Sequence, residues 1–252
     1  GTSRHPTGSR PCAQPSKPGR GTSAQAESPR SSLIGLERVF QFEANDLARA
    51  IDSVKRPLRV VVSGTIQVTN DTGYGRGKLA AKQIIESSTL SNGGHFVDVC
   101  LPNLFGEHGL PGYNSFIATF VDAVIAGTSP AIRDNRVELL HVQEAAESII
   151  GGLSCLESRI RPIGVESSVQ EVWDLLTEFH RSYCPSGEFP DLSSDFRIDL
   201  FNTYRAGLFP AHYPIALVPH SDPRGSFVET VRCRGGEGQS SFSTTAPGVT
   251  RG

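Results

Sequence analysis

The apolar residues of the chain first form a periodic pattern near residue 40. They recur at the spacing of one helix face and predict an amphipathic helix over residues 41–55. These residues are Phe40, Leu47, Ala50, Ile51 and Val54. Pro57 ends the pattern, and residues 59–63 are apolar and β-branched, which is typical of a buried strand.

The pattern of apolar and polar residues predicts further helices and strands along the chain. Helices are predicted over residues 74–88, 114–126, 144–156, 169–183 and 196–206, and strands over residues 95–101, 137–140 and 161–163. Strands that alternate with longer helices are typical of a parallel sheet with right-handed crossovers. The sequence therefore predicts the α/β fold class.

The two ends of the chain depart from this pattern. Residues 1–32 contain no Leu, Ile, Val, Phe, Tyr or Trp, so they bury too little apolar surface to offset their ordering entropy and are predicted to be disordered. Beyond residue 219, residues 226–232 alternate with period two, and a Gly-rich turn leads to a second short strand over residues 239–245. This pair of strands indicates the opening of an all-β domain.

Composition narrows the classes of function. The chain has 252 residues and a net charge of −2, so no nucleic-acid or membrane-surface partner is expected, because phosphate contacts need clustered Lys and Arg. No run approaches the roughly 20 apolar residues of a membrane span. The five cysteines are scattered without metal-binding spacing, which favours reduced thiols, a cytoplasmic location and no metal site. The absence of methionine predicts that the printed chain lacks its native start.

The first candidate for chemistry is the pair Tyr74 and Lys78, which lie one helical turn apart. An ammonium near a phenol favours the ionised phenol, and such a phenol can deliver a proton to a carbonyl oxygen while hydride reaches the carbon. The spacing alone fits an exposed helix pair equally well. Its context adds weight, since Thr65 follows the strand before it and Asn103 follows the strand after it, at the carboxyl ends where open α/β sheets bind ligands.

These segments together resemble a known family. Ser63-Gly64-Thr65, Tyr74-x-x-x-Lys78 and Pro102-Asn103-Leu104-Phe105-Gly106 are similar to the extended short-chain dehydrogenase/reductases, the NAD-dependent epimerase/dehydratase superfamily, that act on nucleotide sugars. The resemblance implies the C-terminal half of a Rossmann-like doubly wound parallel sheet.

A narrower resemblance rests on other segments. Thr65-Ile66-Gln67, the short gap to Tyr74 and Pro111-Gly112-Tyr113-Asn114-Ser115 resemble the capsular polysaccharide biosynthesis reductases. Those enzymes have an N-terminal reductase and a C-terminal cupin, and the tail from Arg224 to Gly252 is similar to the first strands of that β cupin domain. Gly112 departs from the family pattern, which usually has Asn there. His141 is interpreted as a packed residue at a strand end.

The resemblance implies a role for each candidate residue. Thr65, Tyr74 and Lys78 would be catalytic, with Thr65 polarising the substrate carbonyl and Tyr74 donating the proton. Ser63, Tyr74, Lys78 and Pro102 would contact NADP or NAD. The substrate would be a UDP-linked 4-keto-6-deoxy amino sugar on the route to a fucosamine-type precursor. The residues that bind it would be Thr65, Asn103, Tyr113, Asn114 and Ser115. A homo-oligomer is implied for the intact family member.

In this family an opening strand, G-x-x-G-x-x-G turn and helix hold the pyrophosphate, and no such unit precedes the strand over residues 59–63. We therefore expect a fragment with a non-homologous tail over residues 1–32, a partial reductase domain over residues 33–218 and a truncated cupin over residues 219–252. We expect no turnover by the chain as printed. The strand over residues 59–63 is expected to have an open edge, which favours aggregation.

Two other functions stay open at this point. A UDP-sugar 4-epimerase or dehydratase would share the fold and the Tyr74/Lys78 pair, whereas the short Thr65-to-Tyr74 gap and the cupin-like tail favour the reductase. A catalytically inactive module that binds nucleotide sugars would explain the missing Gly-rich turn.

Overall fold

The structure is a computed structural model that describes residues 29–66, 72–113, 115–235 and 238–250. Its helices are α1 (Pro29–Val54), α2 (Gly73–Ser91), α3 (Phe116–Ile125), α4 (Val142–Gly151), α5 (Val169–Ser186) and α6 (Asp195–Leu208). Its strands are β1 (Arg59–Thr65), β2 (His95–Leu101), β3 (Asn103–Phe105), β4 (Arg136–His141), β5 (Arg159–Ile160), β6 (Val165–Ser168), β7 (Glu188–Phe189), β8 (His220–Asp222), β9 (Gly225–Cys233) and β10 (Gln239–Ser243).

The strands form three small sheets. In the first, β1, β2 and β5 lie side by side and all pairs are parallel. In the second, β3 pairs with β4 in parallel, and β6 pairs with β4 in the antiparallel direction. In the third, β9 pairs antiparallel with β8 and β10, and its end pairs in parallel with β7. The α/β fold class with parallel strand pairing is thereby confirmed.

One edge of β1 carries no strand among the described residues, because β1 stands at the end of its sheet and pairs with β2 alone. Both faces of β1 are covered, since Val60 and Val62 pack toward α1 and α2 while Val61 packs toward the side of Val97 and Ala145. The unpaired backbone groups of such an edge can pair with another chain. This is the open edge that the sequence predicts for this strand.

Several predicted bounds were wrong. No strand covers residues 161–163, because Pro162 lacks an N–H for a sheet ladder, and β5 and β6 flank this segment instead. The antiparallel β6 also shows that the second sheet is not wholly parallel. Helix α4 ends at Gly151 and not at residue 156, because the two consecutive glycines Gly151 and Gly152 weaken the helix. Helix α1 begins at Pro29, within the segment predicted to be disordered.

Three apolar clusters hold the elements together. The largest joins α3, α5 and α6 with β3 and β4, and its centre includes the fully buried Phe179, Leu200 and Tyr204. A second cluster packs β2 against α4 through Val97, Val99 and Ala145. The third, which includes Ile51 and Ile85, packs α1 and α2 onto the opposite face of β1 and β2. The first sheet is therefore sandwiched between helix layers, as in α/β folds.

Within the part of the chain that the structure describes, no helix has both the length and the apolar character needed to cross a membrane.

The largest cluster yields a stability prediction. Leu200→Ala removes a side chain that is 0% exposed, and we expect the free energy of unfolding to fall by about 2–5 kcal/mol through lost burial and a residual cavity. Leu156→Ala is the matched control, since Leu156 is 89% exposed, and its effect should stay within about 0.5 kcal/mol. Urea unfolding followed by circular dichroism measures both, and equal effects would contradict the described core.

Candidate active site at the carboxyl ends of β1 and β2

The site begins with the pairing of β1 and β2. The two strands run parallel in a register that pairs Gly64 with Cys100 and Thr65 with Leu101. Their carboxyl ends therefore lie side by side, and the segment Ser63–Thr65 comes next to the turn from Leu101 into β3. In an open α/β sheet this is the edge at which ligands bind.

Helix α2 brings Tyr74 and Lys78 to the same edge. Thr72 caps the helix, and its side-chain oxygen accepts a hydrogen bond from the Gly75 backbone N–H at 3.1 Å, which fixes the first turn. Gly73, Gly75 and Gly77 are buried, so the backbone of the first turns lies close against its surroundings. Tyr74 and Lys78 follow each other one turn apart on one face.

The ring of Phe40, on α1, completes this group. It meets the ring of Tyr74 edge-on at 5.6 Å between centroids, and Lys78 Nζ lies 4.9 Å from the centre of the Phe40 ring and 6.0 Å from that of the Tyr74 ring. An ammonium over aromatic faces is attracted by their quadrupoles. Phe40 thus helps to hold the Lys78 head group near Tyr74. From sequence, Phe40 was only an apolar helix position, and no motif marked it.

A cavity of about 450 Å³ lies at this edge. Among the predicted site residues that the structure describes, all except Tyr113 line it: Ser63, Thr65, Tyr74, Lys78, Pro102, Asn103 and Ser115. Tyr113 is not among the lining residues and its side chain is 74% exposed. Asn114 lies outside the described residues. The contacts predicted for these two residues with a substrate stay predictions.

Two of the lining residues also make hydrogen bonds that hold the local backbone. Asn103 Nδ2 donates to the Glu138 backbone carbonyl on β4 at 3.1 Å, which ties β3 to its neighbour. Ser115 caps α3, and its side-chain oxygen accepts from the Ala118 backbone N–H at 3.4 Å. Each of these side chains therefore has a structural role beside the one the sequence predicts.

A second cavity of about 390 Å³ lies between α1, α2 and β1. It shares Ser63, Gly64, Thr65 and Lys78 with the first cavity, so the two form one cleft around the end of β1. The second cavity is lined mainly by apolar side chains of α1 and α2, together with the buried Asp98. The cleft offers both a polar end at Tyr74 and an apolar end beneath Lys78.

A separate charged cluster supports the loop after β3. His141 is 4% exposed, and its Nε2 lies 3.1 Å from Glu107 Oε2, while its Nδ1 lies 4.0 Å from Asp199 Oδ1 on α6. The pKa of the Asp199 carboxyl lies above its ordinary value, because the effect of burial outweighs that of the nearby His141 ring, which lowers the pKa. The ring of Phe105 packs edge-on against His141 at 5.4 Å. His141 is thus a buried residue that links this loop to α6, at the strand end where the sequence placed it.

In the described part of the chain, no three His, Cys, Asp or Glu side chains group closely enough to hold a metal ion.

Comparisons with known proteins place this geometry in a family. Residues 47–154 match the model of the NAD dependent epimerase/dehydratase family. The chain is 31% identical over 212 residues to the UDP-2-acetamido-2,6-beta-L-arabino-hexul-4-ose reductase of Pseudomonas aeruginosa, over 82% of this chain and 56% of that protein. The chain thus spans little more than half of the length of this curated relative.

Solved structures agree with the sequence matches. The capsular polysaccharide assembling protein CapF from Staphylococcus aureus aligns with a TM-score of 0.66 and 30% identity, over 77% of this chain and 54% of that chain. The UDP-N-acetylglucosamine 4-epimerase from Methanobrevibacter ruminantium M1 aligns with a TM-score of 0.50 and 16% identity, over 59% of this chain and 62% of that chain, and shows the fold alone. Residues 47–154 are thus a domain of the NAD dependent epimerase/dehydratase family, the extended short-chain dehydrogenase/reductases, and the chain resembles the capsular polysaccharide reductases.

The backbone at Gly64 gives a testable consequence. A Cβ at this position would overlap Asp98 Oδ1, and the carboxylate is buried against its neighbours. We expect Gly64→Ala to lower the free energy of unfolding by about 1–3 kcal/mol, the usual effect of overpacking.

Gly151→Ala is the matched control, because a Cβ there meets nothing within 4 Å at the end of α4. It should leave stability unchanged or raise it by up to about 1 kcal/mol through helix propensity. Thermal and urea unfolding of the two variants measure the difference. A Gly64→Ala protein as stable as the Gly151→Ala protein would show that the Asp98 carboxylate is not packed on Gly64.

Proposed function

We propose that this chain carries the catalytic residues of an NADPH-dependent nucleotide-sugar reductase that reduces a UDP-linked 4-keto-6-deoxy amino sugar. The single observation that carries the proposal is that Thr65, Tyr74 and Lys78 line one cavity at the carboxyl ends of β1 and β2. The sequence matches support it, because the curated relative is named as a UDP-sugar reductase. The CapF likeness supports the capsule-related assignment.

The arrangement accounts for reduction of a ketone. The Thr65 hydroxyl donates a hydrogen bond to the ketone oxygen, and the Tyr74 hydroxyl transfers its proton to that oxygen as hydride reaches the carbon. Lys78, with its ammonium held over the Phe40 ring, stabilises the phenolate that remains on Tyr74. The product is the alcohol at the same carbon, so one hydride and one proton are consumed in each turnover.

The cleft fits the nicotinamide half of NADPH. When bound, the cofactor supplies the hydride. The Lys78 ammonium and the Ser63 hydroxyl line the cavity and are suited to ribose hydroxyls, while Pro102 forms part of the wall. No G-x-x-G-x-x-G turn for the pyrophosphate precedes β1 in this chain, and the glycines of that spacing, Gly106, Gly109 and Gly112, follow β3 instead. We propose that a fragment without this turn does not turn over substrate by itself.

Three further predictions belong to the proposal. A cytoplasmic location is supported by the free thiols of Cys100, Cys155, Cys184 and Cys233 in the described part of the chain. A homo-oligomer is supported by apolar side chains that α1 exposes, such as Val39 and Phe42. The antiparallel pair β9 and β10 supports the opening of a cupin domain.

The substrate contact of Thr65 is tested by binding. We expect Thr65→Val, which removes the hydroxyl and keeps the shape, to weaken binding of the UDP-linked 4-keto-6-deoxy amino sugar about tenfold, as for one lost hydrogen bond. Saturation-transfer NMR or titration calorimetry measures the affinity. Thr245→Val is the control, because Thr245 is exposed and lies outside the cleft. Equal affinities of the two variants would contradict the assignment of Thr65.

Turnover is tested separately. We expect the chain with NADPH and the 4-keto sugar to oxidise NADPH no faster than buffer, because the pyrophosphate has no Gly-rich turn to bind it. NADPH absorbance follows the reaction. Oxidation abolished by Tyr74→Phe would overturn the expectation of inactivity while supporting the catalytic residues. Binding without oxidation is also what an inactive binding module predicts, whereas interconversion of a UDP-hexose at its 4-position would favour the 4-epimerase.

A further inference from the structure

A buried ion pair lies next to the proposed site. Lys82 Nζ donates to Asp98 Oδ2 at 2.6 Å, and Asp98 is only 4% exposed. Asp98 occupies the middle of β2, where its register partners are Val62 on β1 and Arg159 on β5. The carboxylate therefore stands at the centre of the first sheet, on the face that α2 covers.

Lys82 lies on the same face of α2 as the proposed catalytic pair. Tyr74, Lys78 and Lys82 follow one another at intervals of four residues, which places them in one row along a helix. The bond from Lys82 to Asp98 links this row to the sheet by charge. A slide of α2 along its axis, which would move Tyr74 relative to the end of β1, would stretch this bond.

The other oxygen of Asp98 contacts β1. A Cβ at Gly64 would overlap Oδ1, so this oxygen lies against the α-carbon of Gly64. Gly64 is the residue before Thr65. No donor in the described residues hydrogen-bonds Oδ1. One carboxylate thus contacts both the helix that carries Tyr74 and the strand end that carries Thr65.

Stability alone gives a poor account of this pair. Burying two charges costs desolvation energy, and replacing a buried pair by uncharged residues of similar volume is often neutral for stability. Lys82 lies one turn from Lys78, and the Asp98 carboxylate lies against Gly64, the residue before Thr65, which points to a different use. Here a fixed distance between α2 and β1 is what proton transfer from Tyr74 requires.

We propose that Asp98 and Lys82 are positioning residues that hold Tyr74 and Lys78 at a fixed distance from Thr65. The inference rests on the proposed function, because it assigns the pair to the geometry of that site. Neither residue is assigned a contact with the substrate. Their effect passes through α2 on one side and through Gly64 on the other.

The test uses a double variant of the full chain, Lys82→Met with Asp98→Asn, which removes both charges and leaves no lone buried charge. The protein is labelled with fluorotyrosine, and Tyr74→Phe identifies the Tyr74 signal among the five tyrosines. We expect the fluorine NMR signal of Tyr74 to shift or broaden while the signals of Tyr183 and Tyr204 stay in place. Affinity for the UDP-linked 4-keto sugar should fall about tenfold.

Two variants serve as references. Lys82→Arg in the parent chain keeps the charge pair, and this variant should have the Tyr74 signal and the affinity of the parent chain. Glu188→Gln with Arg234→Met removes an ion pair of 2.7 Å outside the cleft and should leave both unchanged. If the Lys82/Asp98 double variant does not fold, Asp98→Asn alone, which keeps the shape of the side chain, is measured in the same way.

The outcomes separate this inference from the proposed function. An unchanged Tyr74 signal in a folded variant without the charge pair overturns the positioning role, whatever the protein binds. A Tyr74 signal that is displaced in the double variant but unchanged in Lys82→Arg supports the positioning role, even where the parent chain binds no nucleotide sugar. In that case the proposed function fails and the structural role of the pair stands.

Discussion

The parallel pairing of β1 with β2 is the constraint on which the rest of the site depends. Its register places Thr65 beside Leu101, so both strands end at the same edge, where β2 is followed directly by β3. A shift of one residue would exchange the faces of β1. Val62 would then leave the apolar cluster under α1 and α2, and Gly64 would no longer leave space for the Asp98 carboxylate. Apolar burial on both faces thus fixes the position of the polar strand end.

Helix α2 adds the reactive groups to this fixed edge. Its first turn is capped and its glycines are buried, so the backbone there lies close against its surroundings, while α1 supplies the Phe40 ring that contacts both Tyr74 and Lys78. Close approach of a helix needs small residues, and correct orientation of a lysine needs an aromatic or acidic partner. The structure meets the first need through Gly73, Gly75 and Gly77 and the second through Phe40.

The second sheet and its helices form the other wall. Asn103 and Ser115 each hold backbone in place through hydrogen bonds, and the buried His141 links the loop after β3 to α6 through flanking carboxylates. A site wall built from residues that are themselves anchored changes shape little when a ligand arrives. This is the pre-organisation that positions reacting groups in enzymes.

The sequence by itself determined the α/β fold class, the strand over residues 95–101, the approximate places of the helices and the candidates Thr65, Tyr74 and Lys78. These follow from local periodicity and from the rule that strand ends bind ligands. Only the tertiary structure decided the antiparallel β6, the early start of α1, the role of Phe40 and the pairing of Lys82 with Asp98. The partners in these contacts lie apart in the chain. The sequence alone does not show which partner an apolar or charged residue will contact. Phe40 was one apolar position in a helix, and Asp98 was one polar position in a strand, until packing brought each against α2.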